Sequence, residues 1–198
     1  VAWVVATDAG CQHRVGSGVE KTDATRDFTI KLDVTGLSPG QVYYYRFFAN
    51  GAESPVGRLR TLPDGDVSAF RMAVLSCSNY PAGYFHVYGE VAARTDIDAV
   101  LHLGDYIYEY GADGYATEDA AALGRVPQPA TEMLTLADYR ARHAQYRTDA
   151  NLQKAHCNHS FICVWDDHEI TNDTWREGAE NHDASEGDFS QRKAWAIQ

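Results

Sequence analysis

No stretch of this sequence holds the roughly 18 consecutive apolar residues that a membrane-crossing helix needs, so no transmembrane segment is expected. Basic residues are also scarce: 17 Lys and Arg stand against 28 Asp and Glu, a formal charge of −11. Wrapping a nucleic-acid backbone calls for clustered cations, and no specific nucleic-acid partner is expected. A small anionic substrate is not excluded, because bound cations reverse the local field of an acidic pocket. There is no Cys-x-x-Cys pair among Cys11, Cys77, Cys157 and Cys163, which removes the usual signature of a dithiol redox centre. Internal repeats and low-complexity tracts are absent as well. The chain opens at Val1 without a Met or a charged-then-apolar leader, so a secretory signal is neither shown nor excluded.

What is present is a globular composition, 44 % apolar and 23 % charged over 198 residues. That length suits one domain, or a small domain followed by part of a larger one. Residues 1–62 read as strand-rich. Phe28 to Val34 alternates with period two, Val42-Tyr43-Tyr44-Tyr45-Arg46-Phe47 is rich in β-formers, and Asn50-Gly51 signals a hairpin. The strand pattern at residues 1–5 and a helical pattern at 195–198 are expected to run on beyond both ends. Gly36-Leu37-Ser38-Pro39-Gly40 before Tyr43 resembles the corner of a fibronectin type III-like sandwich, where a Tyr hydroxyl bonds back to the turn. Leu62-Pro63-Asp64-Gly65-Asp66 is the boundary, which gives a linker at 63–69 and a second domain at 70–198.

After the boundary, three short apolar strands alternate with helical patterns, near residues 70–75, 98–103 and 161–165. A helix carries Phe85, Tyr88, Val91 and Ala92 on one face, and Thr135-Leu136-Ala137-Asp138 reads as a capping box opening a helix to about Tyr146. Strand and helix in alternation imply a largely parallel sheet with covered faces, whose ligands bind beyond the carboxyl ends of the strands. Each strand ends in residues suited to a metal: Ser76-Cys77-Ser78-Asn79, then Gly104-Asp105, then Asp166-Asp167-His168-Glu169. Residues 111–129 form a long connection that could cover the site.

The chemistry of those ends follows from residue type. The Asp105 carboxylate has two oxygens and can bridge two cations. Tyr108, three positions on, can reach the same metal, but a phenol ionises at neutral pH only beside a strong Lewis acid, which points to ferric iron. Cys77 offers a thiolate suited to iron or zinc. Asp167 can hold a divalent cation, and His168 can pass a proton to a leaving oxygen. Each motif alone also has a structural reading: a Gly-Asp turn with core tyrosines, a small buried thiol, a solvated helix N-terminus favouring acids. The remaining cysteines read as buried or disulfide-paired, and His156-Cys157-Asn158-His159 has poor spacing for zinc.

Taken together and in order, Ser76-Cys77-Ser78-Asn79-Tyr80 with Gly83-Tyr84-Phe85, Leu103-Gly104-Asp105-Tyr106-Ile107-Tyr108-Glu109-Tyr110 and Val164-Trp165-Asp166-Asp167-His168-Glu169 resemble the calcineurin-like metallophosphoesterases. Within them the likeness is to the PhoD-type alkaline phosphatase and phospholipase D-like family, and it extends to the N-terminal segment closing at Ser54 to Pro63. The resemblance implies an incomplete fibronectin III-like β-sandwich followed by an α/β metallophosphoesterase domain, β-sheets flanked by helices, incomplete at its C-terminal side. It implies hydrolysis of phosphomonoesters, and of some diesters, by a metal-bound water or hydroxide. The implied cofactors are Fe3+ and Ca2+, the second open to other divalent cations. Cys77 and Tyr108 would be terminal iron ligands, Asp105 the bridge, Asp167 a ligand of the second metal and His168 the outer-sphere acid. The implied partners are a small phosphate ester or, in a phospholipase-like enzyme, a lipid head group. The implied location is secreted, periplasmic or cell-surface. The family's later histidine elements have no counterpart here, so the cluster is expected to be incomplete. The alternatives are a phospholipase D-type phosphodiesterase and a non-catalytic cell-surface binding module.

Overall fold

A computed structural model describes all 198 residues. The first third forms one antiparallel sheet: β1 (Ala2–Ala6), β2 (Arg14–Val19), β3 (Val42–Ala49), β4 (Ala52–Glu53) and β5 (Gly57–Arg60). β1 lies between β2 and β3, while β4 and β5 both pair with β3. Asn50 and Gly51 adopt φ of 51° and 80° between the paired Ala49 and Ala52, as a two-residue hairpin turn requires. The Tyr43 hydroxyl accepts the Ser38 amide at 2.9 Å, the return bond expected of a tyrosine at that corner.

Phe28 to Val34 is not a strand. β2 and β5 each keep an unpaired edge, yet this alternating segment joins neither. Phe28 is exposed at φ 54°. Period-two patterning specifies which face each side chain takes, but it does not by itself form a ladder.

Beyond residue 63 lies the α/β part. β6 (Met72–Leu75), β7 (Ala99–His102) and β8 (Phe161–Cys163) form a parallel sheet in chain order. α1 (His86–Ala93) joins β6 to β7. α2 (Ala120–Leu123), α3 (Leu136–Tyr146) and α4 (Ala150–Asn158) lie between β7 and β8, and α5 (Phe189–Ile197) follows. Thr135 and Asp138 cap α3 reciprocally. Asp149 caps α4 through the Asn151 and Leu152 amides.

Crossovers between parallel strands are right-handed, and three strands added in one direction put both crossovers on one side. That side holds the main core, where Tyr80, Phe85, Tyr88, Ile107, Tyr139, Tyr146 and Leu152 pack together. Residues on the other side stay open: Val74 and Ile162, in register with Leu101, are each about half exposed. The sheet therefore has one covered face rather than the expected two. The two parts of the molecule meet through Arg60, which bonds Asp98 at 2.6 Å, and Arg140, which donates to the Thr25 carbonyl at 2.8 Å.

Candidate metal centre

All three parallel strands deliver their C-terminal ends to one place. The Cys77 amide donates to the Gly104 carbonyl at 3.2 Å and the Ser78 amide to the Asp105 carbonyl at 2.8 Å. Cys77 and Asp105 both sit in the left-handed region, at φ 59° and 53°. Non-glycine residues rarely adopt that conformation, and it concentrates at functional turns. Gly104 has φ 105°, and a Cβ there would stand 2.4 Å from the Asp166 amide nitrogen. The third strand end crosses so closely over the second that only glycine fits.

Glu169 holds this crossing together. Its carboxylate accepts the amides of Asp105 at 3.1 Å, Tyr106 at 2.5 Å and Asp166 at 2.6 Å. Sequence reasoning gave this residue no role. Its signal was its place at the end of the Asp166-Asp167-His168-Glu169 run, but three donors converging from two separate strands are visible only in the fold.

Ligand atoms of Asp105, Asp167 and His168 all lie within 4.8 Å of one another. Asp105 is buried; its Oδ2 accepts the Tyr108 hydroxyl at 3.1 Å, while its Oδ1 has no partner at all. A buried carboxylate oxygen without a donor is costly, and a cation would satisfy it. Tyr108 is brought to the same centre. Its phenol is raised well above its ordinary value by burial, by the Asp105 charge and by Cys77 beside it. Cys77 itself is exposed and falls outside the three-residue group, adjoining it through Tyr108.

The His168 ring is fixed by Glu109, another residue to which the sequence reading gave no role. Nδ1 of His168 lies 2.7 Å from a Glu109 oxygen, and the Glu109 side chain is fully buried. The other Glu109 oxygen accepts the Asn172 amide at 2.8 Å and the Thr171 hydroxyl at 3.2 Å. Burial pulls the His168 pKa down, but the hydrogen bond and charge of Glu109, with Asp105 and Asp167, leave it raised. Burial pushes Glu109 up, and His168 brings it below its ordinary value.

All four cysteines are free. His156 bonds the Tyr106 hydroxyl at 2.9 Å and His159 the Val91 carbonyl at 2.9 Å, so the two do not share a ligand. In the long connection, Tyr115 lies over Tyr108 with ring centres 6.4 Å apart. A cavity of about 470 Å3 opens beside Cys77 and Tyr108, and neither Lys nor Arg lines it.

Residues 72–198 match the PhoD-like phosphatase family, and residues 1–63 match the PhoD-like phosphatase, N-terminal domain. The chain belongs to the PhoD-like phosphatase family. Its whole length is 39 % identical to alkaline phosphatase D of Bacillus subtilis (strain 168), covering 33 % of that protein. The solved structure of PhoD superposes with a TM-score of 0.89 at 37 % identity, over 98 % of this chain and 37 % of that one. The chain thus spans about a third of the length of these PhoD-like relatives. No helix is long and apolar enough to cross a membrane.

Proposed function

We propose that this chain carries part of the active site of a metal-dependent phosphate-ester hydrolase, with Asp105, Asp167, Tyr108 and Cys77 holding the cations. The observation that carries this reading is the orphaned, buried Oδ1 of Asp105 within a cluster of acids and His168. A thiolate and a phenolate beside carboxylates suit a trivalent iron paired with a harder divalent ion such as calcium. When bound, such cations lower the pKa of water and neutralise phosphoryl oxygens.

The protein's own groups account for the rest. Glu169 sets the backbone turn from which Asp105 projects, and Gly104 permits the crossing. Glu109 holds Nδ1 of His168, so Nε2 is the ring nitrogen left to meet the leaving oxygen and hand it a proton. In the overall step, water adds to phosphorus, the ester P–O bond breaks, and the alcohol departs carrying one proton while inorganic phosphate keeps the other.

In this reading residues 1–62 are part of a fibronectin III-like sandwich, 63–69 a linker and 70–198 part of the metallophosphoesterase domain, in a secreted, periplasmic or cell-surface protein. The test is phosphate release by the full-length protein from an aryl phosphate, with phosphatidylcholine as the phospholipase arm. Asp105→Asn should abolish turnover and Cys77→Ala should lower iron content. Undiminished turnover by Asp105→Asn would overturn the assignment.

A further inference from the structure

The 470 Å3 cavity beside the candidate centre is built differently from the centre itself. Phe85 and Tyr88 form its buried floor, Cys77 and Tyr108 the side facing the metal residues, and Tyr84 and Tyr115 its rim. The two rim tyrosines are 55 % and 62 % exposed, so both are accessible from solvent. Both are nevertheless held in place. The Tyr84 hydroxyl donates to the Leu123 carbonyl at 3.3 Å, and the Tyr115 carbonyl accepts from the Asn79 side chain at 3.4 Å. Tyr115 also packs against Tyr108 and Tyr110, with ring centres 6.4 and 5.9 Å away. Preset aromatic faces with no carboxylate, ammonium or guanidinium among the lining residues suit a flat, uncharged guest.

We propose that this cavity is the subsite for the alcohol portion of the ester and that it selects flat, uncharged alcohols, aryl groups above all, through the faces of Tyr84 and Tyr115. This deepens the phosphate-ester reading and rests on it. No Lys or Arg lines the cavity to pair with a second anionic group on the alcohol, so doubly anionic alcohols are disfavoured.

The experiment compares phenyl phosphate with methyl phosphate on the full-length, metal-loaded protein, and separately measures equilibrium binding of 2-naphthol to metal-free protein. In Tyr84→Ala and Tyr115→Ala, the phenyl-to-methyl ratio of kcat/KM should fall about fivefold to tenfold, mostly through KM. Binding of 2-naphthol should weaken by a similar factor. The Phe variants at both positions keep the ring face and should restore the ratio. An unaltered ratio and unaltered naphthol binding in both Ala variants would overturn the subsite, as would Phe variants as impaired as Ala. Wild-type protein that binds naphthol but hydrolyses neither ester would instead overturn the phosphatase reading, and the ester subsite with it.

Discussion

Glu169 and Asp105 stand 64 residues apart in the chain, yet the amide of one donates to the carboxylate of the other at 3.1 Å. The same carboxylate also ties down Tyr106 and Asp166. Charge-assisted bonds of this kind are about twice as strong as neutral ones. Glu169→Gln should lower stability by about 1–3 kcal/mol and weaken metal binding, because the turn presenting Asp105 loses its anchor. Thermal denaturation and metal titration check this, and Glu169→Asp should be no substitute, since its shorter arm cannot span both strand ends.

Glu109 and His168 form a nearly enclosed pair, with side-chain exposures of 0 % and 12 %. Removing one member of such a pair typically costs about 3 kcal/mol or more. For metal-free protein the pair is strongest between the ordinary values of the two groups, 4.5 and 6.5. The Glu109 contribution is lost as pH falls through its lowered pKa, and the His168 contribution as pH rises through its raised one. Glu109→Gln should therefore destabilise most near pH 5.5, which denaturant titrations across pH would reveal.

Gly104 combines a positive φ with a backbone crossing. Gly104→Ala adds a Cβ 2.4 Å from the Asp166 nitrogen at φ 105°. The strained backbone and the overpacking each cost about 1–3 kcal/mol, so the variant should melt well below wild type or fail to fold. A wild-type melting temperature would mean that the strand ends do not cross as described.

His156 stacks on Phe161 with centroids 3.8 Å apart and bonds the Tyr106 hydroxyl at 2.9 Å. Burial, aided by Arg147 and His102, pushes its pKa down to about 3. An unfolded imidazole takes up its proton near 6.5, so stability should fall as pH drops below that value, until about pH 3. Each pKa unit is worth about 1.4 kcal/mol. His156→Gln should show a shallower slope of unfolding free energy between pH 6.5 and 4; an unchanged slope would contradict a buried neutral ring.

Much of this was readable from residue order because the signals were local. The Thr135 and Asp138 cap, the Asn50-Gly51 turn, the Tyr43 corner and the three apolar runs each carry their own physics within a few residues. Other features depend on what lies across the fold. The alternation at 28–34 joins no strand, and Val74 and Ile162 lie on a face that the right-handed crossovers leave uncovered. α4 also carries a local signal, with Asp149 as its cap and the buried Leu152 and Ala155 at helical spacing. Glu109 and Glu169 look like ordinary acids until the partners 59 and 64 residues away arrive. Cys77 adjoins Tyr108, while Asp105, Asp167 and His168 form the tight group.

The most direct test is an anomalous-scattering map on crystals of the full-length protein, with elemental analysis of the same preparation. A metal centre at this site requires stoichiometric metal and an anomalous peak within bonding distance of the Asp105 and Asp167 carboxylates, with Tyr108 and Cys77 on one side of it. Well-ordered side chains at those positions, no peak between them and no stoichiometric metal in the full-length protein would contradict it.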